Sequence, residues 1–173
     1  SASSANICNG SNINLFANSS SNSSTNVTLA SENFDSGLPS GWVIVQSGTG
    51  NLWGQTTSTT YGTPYAGSGM LQYVYNANNA ANTYAISSGY SLEAGVTYTI
   101  SFYELTSSLD EKLKLTVGTA QTAAAQSTII YDYGAHQVTS WTLRTNTFTP
   151  SATGTYYFGL HAYSAKNKWY IDV

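Results

Sequence analysis

Apolar and polar residues alternate along much of the chain, which is the pattern of strands with one dry and one wet face. In the stretch 98–104, Tyr98, Ile100 and Phe102 share one face. Turn signals containing Gly or Asn separate the alternating stretches, and no long window has a helical period. Short strands at even spacing predict an all-β fold, built as an antiparallel β-sandwich. The expected strands lie over 71–75, 98–104, 113–117, 127–133, 141–148 and 155–163.

The last of these strands carries aromatic residues on both parities. We expect one parity to face the core, namely Tyr156, Phe158 and Leu160. The other parity would form a displayed aromatic face, with Tyr157, His161, Tyr163 and a gap at Gly159. Tyr103 lies on the non-core parity of its own strand and would join this face if the two strands were neighbours.

Residues 1–30 differ in character from the rest of the chain. A Ser- and Asn-rich tract over 17–28 can hardly hold a packed core by itself. Cys8 is the only cysteine, so no internal disulfide is possible. Its surroundings over 7–15 resemble the first strand of the Ig-like repeats of giant bacterial surface proteins. We expect 1–30 to be a short Ig-like remnant or a linker, followed by one principal domain over 31–173.

Composition restricts the partners. Only 8% of the residues are charged, whereas an average soluble domain has about a quarter. Hydroxyl and amide groups must therefore solvate the surface, as is common in secreted and cell-surface proteins. A net charge of -3 with five Lys and Arg argues against binding to nucleic acid, because phosphate neutralisation needs clustered cations. No apolar run approaches the ~20 residues that span a bilayer, so we expect no membrane insertion.

Two short segments carry a family resemblance. Residues 32–42 read Glu-Asn-Phe-Asp-Ser-Gly-Leu-Pro-Ser-Gly-Trp, and residues 168–173 read Lys-Trp-Tyr-Ile-Asp-Val. They resemble the opening and closing strands of the cleaved-adhesin domains of haemagglutinins and gingipain-type proteases, and more distantly the MAM-like sandwiches. In that family the closing strand returns beside the opening one. The resemblance implies a jelly-roll sandwich in a secreted bacterial surface protein.

The same resemblance implies a calcium ion, because the opening and closing strands of that family commonly supply oxygen ligands at the sandwich edge. Asp35 and Asp172 are the candidate ligands, and Glu32 and Asn33 could assist. Two acids on adjacent strands would repel each other unless a cation or a proton lay between them. The alternative is that these acids are simply exposed on edge strands.

Aromatic residues give the main indication of function. Rings stack on sugar C–H surfaces and accept peptide side chains, whereas hydroxyls and amides bond to sugar hydroxyls. A second cluster is expected around the Gly- and Thr-rich loop before Met70. The candidate ligand-binding residues are Tyr103, Tyr157, His161, Tyr163, Trp53, Tyr61 and Tyr65. The alternative is that most of these rings are buried under loops and are structural.

Evidence for catalysis is weak. The sequence has no nucleophile elbow and no paired metal-ligand spacing. A glycoside hydrolase needs two facing carboxylates, and Glu104 with Asp132 is the only pair we can nominate. Glu104 shares the parity of Phe102 and should point towards the core or its rim. We expect it to be paired with a Lys or a backbone amide, and we expect no catalytic residue.

The sequence thus predicts a non-catalytic adhesion module at the extracellular cell surface. Its expected partners are a glycan or an extracellular protein, together with neighbouring domains of a larger surface protein. One alternative is a structural or assembly module of a large secreted surface protein. A jelly-roll glycoside hydrolase is a third possibility.

Overall fold

The structure, a computed structural model, describes residues 14–18 and 27–173. Within these ranges the chain forms β-strands and no helix, which confirms the predicted fold class. The strands are β1 (Asn14–Asn18), β2 (Val27–Ala30), β3 (Val43–Gln46), β4 (Trp53–Thr56), β5 (Met70–Val74), β6 (Thr83–Ile86), β7 (Tyr90–Leu92), β8 (Thr97–Thr106), β9 (Glu111–Gly118), β10 (Thr128–His136), β11 (Thr142–Phe148), β12 (Gly154–Ala162) and β13 (Tyr170–Asp172).

The strands form two antiparallel sheets that stack as a jelly-roll sandwich. The first sheet has seven strands in the order β2-β1-β8-β13-β5-β4, and β11 pairs with β8. The second has six strands in the order β10-β9-β12-β6-β3, and β7 pairs with β12. Strand β8 is long enough to pair with β1, β11 and β13, so it is central to the first sheet.

The core lies between the sheets and follows the alternation seen in the sequence. Tyr98, Ile100 and Phe102 of β8 point into it, as do Phe158 and Leu160 of β12. Full burial of a large apolar side chain stabilises a fold by roughly 1.5–3 kcal/mol, so these alternating positions hold the two sheets together.

The opening segment differs from the expectation. Residues 31–42 form turns rather than a strand, and β13 pairs with β5 and β8 instead of with them. Positive φ angles at Phe34 (58°) and at Gly37 and Gly41 break the extended conformation. Phe34 and Trp42 still pack edge to face, with ring centroids 5.5 Å apart, so the aromatic ends of the segment belong to the core.

The described part of the N-terminal region is integrated into the first sheet. Strand β1 pairs with β8, and β2 pairs with β1. The boundary predicted near residue 31 therefore falls between segments that share one sheet. Cys8 and most of the polar tract lie outside the described residues. Among those that are described, no helix is long and apolar enough to cross a membrane.

Two loops lie across the outer faces of the sandwich. The first, residues 57–69, crosses the first sheet between β4 and β5 and is called the 57–69 loop below. The second, residues 119–127, crosses the second sheet between β9 and β10 and is called the 119–127 loop. The latter contains one hydrogen-bonded turn, in which the Gln126 N–H donates to the Thr122 carbonyl at 3.3 Å.

Candidate functional site

The 57–69 loop is fixed at its end by Asp35. Asp35 Oδ1 accepts hydrogen bonds from the backbone N–H groups of Ser68 (2.6 Å) and Gly69 (2.8 Å). These two bonds lower the pKa of the Asp35 carboxyl. Asn33 donates to Asp35 Oδ2 at 3.1 Å. Gly67 fits beside this carboxylate because it has a φ of 71° and no side chain.

The same loop covers Asp172 of β13. Asp172 is fully buried, and its Oδ1 accepts a hydrogen bond from Gln72 Nε2 at 2.8 Å. Its Oδ2 has no hydrogen-bond partner among the described residues. Burial raises the pKa of the Asp172 carboxyl to about 7, and the Gln72 hydrogen bond opposes this shift. Gly62 lies so close above Oδ2 that a Cβ at this position would overlap it.

Asp35 thus binds the end of the loop, whereas Asp172 is covered by its middle. Asn33 accompanies Asp35, and burial raises the pKa of Glu32. Within the described ranges, no group of three or more His, Cys, Asp or Glu side chains could hold a metal ion. Asp35 Oδ1 already accepts two N–H donors, and Asp172 Oδ2, which has no hydrogen-bond partner among the described residues, lies directly beneath Gly62. The predicted calcium ion stays a prediction.

One aromatic cluster lies where the loop crosses β8. The ring of Tyr65 is stacked on that of Tyr103, with centroids 3.7 Å apart and an angle of 14° between the rings. Trp141 contacts Tyr65 edge to face at 6.0 Å, and its indole N–H donates to the Thr63 carbonyl at 2.9 Å. Tyr65 is 42% exposed. One face of the Tyr65 ring is therefore packed on Tyr103, and the exposed part of the ring is accessible to a ligand.

A second aromatic cluster lies where the loop passes β13. Trp169 is 45% exposed and is stacked on Tyr75, with centroids 6.2 Å apart. Tyr61 meets Trp169 edge to face at 6.4 Å and also contacts Tyr170. The Trp169 N–H donates to Glu111 Oε1 at 2.6 Å, which anchors the backbone of this exposed residue.

The outer face of the second sheet carries another row of rings, called the His161 row below: Tyr84, His161 and Tyr163. Tyr84 and His161 are stacked at 3.9 Å, and His161 and Tyr163 are 5.5 Å apart. The Tyr163 hydroxyl donates to Asp132, and the Lys114 ammonium lies 4.3 Å from the Tyr163 ring centroid. Burial, assisted by the Lys114 charge, lowers the pKa of His161 to about 4.

The structure separates the aromatic residues that the sequence grouped. Tyr103 belongs to the first sheet and β12 to the second, so Tyr103 cannot join Tyr163. Tyr157 is cut off from His161 because the Gln126 side chain fills the gap at Gly159. Trp53 faces the core at 3% exposure and donates to the Thr83 carbonyl at 3.2 Å, so it displays no ring.

The structure also shows what the buried acid Glu104 does. Its oxygens bind Arg144 Nε at 2.7 Å and His136 Nε2 at 2.6 Å, rather than the expected Lys or backbone amide. Burial, the largest single effect, lowers the pKa of the His136 imidazole, but the hydrogen bond and the charge of Glu104 together with the Gly134 carbonyl raise it above its ordinary value. Asp132 is engaged elsewhere, with Tyr163 and Lys114. The carboxylate pair considered for a hydrolase is therefore not brought together.

Sequence reasoning did not select Trp141, Trp169 or Tyr75 as site residues. The available signal was the aromatic pair Trp169-Tyr170 in the closing segment, which indicates an exposed ring as well as the fold.

Comparison with known structures identifies the fold. The K1 cleaved adhesin domain of Lys-gingipain from Porphyromonas gingivalis W83 superposes with a TM-score of 0.65 at 16% identity, covering 82% of this chain and 91% of that one. The chain has the fold of a cleaved adhesin domain. This confirms the resemblance at the level of fold.

Carbohydrate-binding modules share the same architecture. The CBM22-1 xylan-binding domain of Xyn10C from Paenibacillus barcinonensis gives a TM-score of 0.53 at 16% identity, covering 96% of this chain and 93% of that one. TmCBM61 in complex with β-1,4-galactotriose gives 0.52 at 14% identity, covering 80% and 88%. No protein-family model matches the sequence, and no curated protein matches it.

Proposed function

We propose that this chain is a non-catalytic binding module of an extracellular surface protein and that it binds a glycan. The ligand would contact the outer face of the first sheet through the exposed rings of Tyr65 and Trp169. The observation that carries the proposal is the stacking of exposed Tyr65 on Tyr103 at 3.7 Å. A ring fixed in this way loses little conformational freedom when a sugar stacks on it.

The surroundings of the two rings suit a sugar. The 57–69 loop supplies hydroxyl groups over residues 57–60 and at Thr63. Hydroxyls of this kind can donate to and accept from sugar hydroxyls, while the ring faces cover the C–H surface. Asp35 fixes the end of the loop and the Trp141 N–H fixes the Thr63 carbonyl, so Tyr65 between them is positioned before binding.

The solved structures with this fold support the same reading. One is described as a xylan-binding domain, another is a complex with β-1,4-galactotriose, and a third is an adhesin domain of a larger protein. We therefore propose a location outside the cell and neighbouring domains in the parent protein. Glycan is preferred to a protein ligand because the exposed rings are flanked by hydroxyls rather than by a broad apolar patch.

Glycan-array screening followed by calorimetry tests the proposal. Tyr65→Ala and Trp169→Ala should each weaken glycan binding at least fivefold, since we take stacking of a sugar on one ring to be worth as much as stacking of a nucleobase, about 1–3 kcal/mol. Tyr131→Ala is the matched control, because Tyr131 is 51% exposed on β10 of the second sheet. Its affinity should equal that of the wild type.

Two results would contradict the proposal. If no glycan binds, the chain is better explained as a structural or assembly module of a large secreted surface protein. If Tyr163→Ala abolishes binding while Tyr65→Ala does not, the ligand contacts the second sheet. The hydrolase alternative has no support here, because Glu104 is fully buried against Arg144 and His136.

We also propose calcium as a stabilising ion, because Asp172 Oδ2 has no hydrogen-bond partner among the described residues. An ion that binds only the folded state raises the unfolding midpoint. Thermal unfolding with added calcium should therefore give a higher midpoint than unfolding with excess chelator, and Asp172→Asn should remove the difference. Equal midpoints for the wild type would remove calcium from the proposal and leave the glycan site untouched.

A further inference from the structure

An open groove of about 320 Å³ lies on the outer face of the first sheet, beside the 57–69 loop. Small-ligand sites usually have volumes of about 300–1,000 Å³, so this groove is large enough to hold a small ligand. Its floor is formed by outward-facing residues of β4 and β5, with Gly54 opposite Gln72 in the register. Leu52, which is 51% exposed, and Val74 supply its apolar lining.

The polar groups of the groove are neutral and fixed. Of the described residues that line it, none is charged. Asn51 Nδ2 donates to the carbonyls of Val74 (3.2 Å) and Tyr75 (2.9 Å), and its Oδ1 accepts from Asn76 at 3.0 Å. Gln72 Nε2 is held by Asp172 at 2.8 Å. An uncharged lining with apolar residues suits an uncharged ligand, and Asn51, whose two N–H groups are both already donated, shapes the groove and does not bond to the ligand.

The groove lies next to the cluster that contains Trp169. Val74 is paired in register with Tyr170, whose ring contacts Tyr61. Asn51 binds the backbone of Tyr75, and the Tyr75 ring stacks on Trp169. A chain-like ligand that stacks on the exposed Trp169 ring could therefore reach the groove with its next units.

Gly54 keeps the groove open. A Cβ built at this residue meets no atom within 4 Å, and the backbone φ is not in the left-handed region. A larger side chain would thus project into the groove without strain. A glycine in the middle of a strand usually weakens that strand, so the space above Gly54 is better explained by a ligand than by strand stability.

We infer that this groove is an extended subsite for internal units of a neutral polysaccharide chain, and we test β-1,4-linked chains because a solved structure of this fold is a complex with β-1,4-galactotriose. The inference rests on the proposed glycan binding and deepens it, because it makes the ligand a chain rather than a single terminal sugar. Such a chain can lie in the groove without entering a closed cavity, since the groove is open to solvent.

Calorimetry with defined oligosaccharides tests the subsite. The probes are the trimers and hexamers of β-1,4-xylose and β-1,4-galactose. Wild-type protein should bind one hexamer at least tenfold more tightly than its trimer. Gly54→Val should reduce hexamer affinity about tenfold, to the level of the trimer, and leave trimer affinity within about twofold. Gly154→Val in β12 is the matched control, because it also has an exposed strand glycine with room for a side chain.

The outcomes separate the two proposals. Equal hexamer affinity in wild type and Gly54→Val, with the unfolding midpoint of the variant intact, overturns the groove and leaves the ring site standing. Absence of binding by every probe overturns both. If Gly54→Val loses hexamer affinity but its midpoint falls, Leu52→Ser replaces it, and unchanged hexamer affinity in that variant overturns the groove.

Discussion

The two outer faces of the sandwich both carry aromatic rings, but the rings differ in how much of their surface is open to a ligand. On the first sheet, Tyr65 and Trp169 rest on other rings and leave one side open. On the second sheet, the rings of the His161 row stack on one another and end against Lys114 and Asp132. A ring that already has its partners gains little from a ligand, so the number of aromatic residues on a face does not identify a binding surface.

The loops produce this difference. The 57–69 loop brings its own rings to the first sheet and adds to what the strand residues display. The 119–127 loop instead places Gln126 over the middle of the second sheet, where Thr116 donates to its Oε1 at 2.8 Å. Two strand glycines show the difference between the faces. Gly54 has open space above it, whereas a Cβ at Gly159 would lie 2.6 Å from Gln126 Oε1.

The largest expected effect comes from Gly159→Val. The new side chain would displace Gln126 and break its hydrogen bond with Thr116, and overpacking of this kind usually costs about 1–3 kcal/mol. With the lost hydrogen bond included, the free energy of unfolding should fall by about 2–4 kcal/mol. Urea denaturation measures it.

Gly54→Val is the matched comparison on the first sheet. Valine favours strands and meets no atom here, so the same measurement should show a change within about 1 kcal/mol. Equal losses for the two variants would mean that the faces are covered alike, and the contrast between them would disappear.

An intermediate effect is expected from the titration of His161. Its folded pKa, lowered to about 4, lies below the ordinary value of 6.5, so the unfolded chain takes up the proton first. This contribution to stability is complete above pH 6.5 and is lost as the pH falls towards 4. After allowance for solvent screening, the loss should be about 1–2 kcal/mol.

His161→Gln isolates this term, because the carboxyl groups of the two proteins titrate alike. Unfolding free energies measured between pH 7 and 4 should fall more steeply for the wild type than for the variant. Parallel curves would show that His161 is solvated and that the His161 row is open. Glycan affinity at pH 7 should be the same in both proteins.

The sequence allowed the sandwich to be predicted, but only part of its surface. Local alternation identified the core residues Tyr98, Ile100 and Phe102, because strand parity depends on neighbouring residues alone. It also placed Tyr103 on an outer face. The stacking of Tyr65 on Tyr103 joins residues 38 positions apart, and no local period reports such a contact.

The bonds that shape the loop were missed for the same reason. Asp35 stays a predicted calcium ligand, but the sequence does not show that its carboxylate binds the backbone of Ser68 and Gly69, more than thirty residues away. The gap at Gly159 was visible in the sequence, but the residue that fills it, Gln126, comes from a loop with no strand pattern. The contacts of an acidic side chain, or of the space above a strand glycine, depend on residues far away in the sequence.

The smallest expected effect is that of Lys114→Met. The change keeps the aliphatic stem but removes the ammonium, which lies over the Tyr163 ring and 3.6 Å from Asp132. Partly exposed pairs contribute little, so the free energy of unfolding should fall by about 0.5–1 kcal/mol at low salt. The loss should shrink in about 1 M salt, which screens the ion pair with Asp132.

Glycan affinity should not change in Lys114→Met, since Lys114 contacts the His161 row, whose rings already pack on one another and are not part of the proposed glycan site. A loss of affinity in Lys114→Met, with Tyr65→Ala still binding, would reverse the comparison and make the second sheet the binding face.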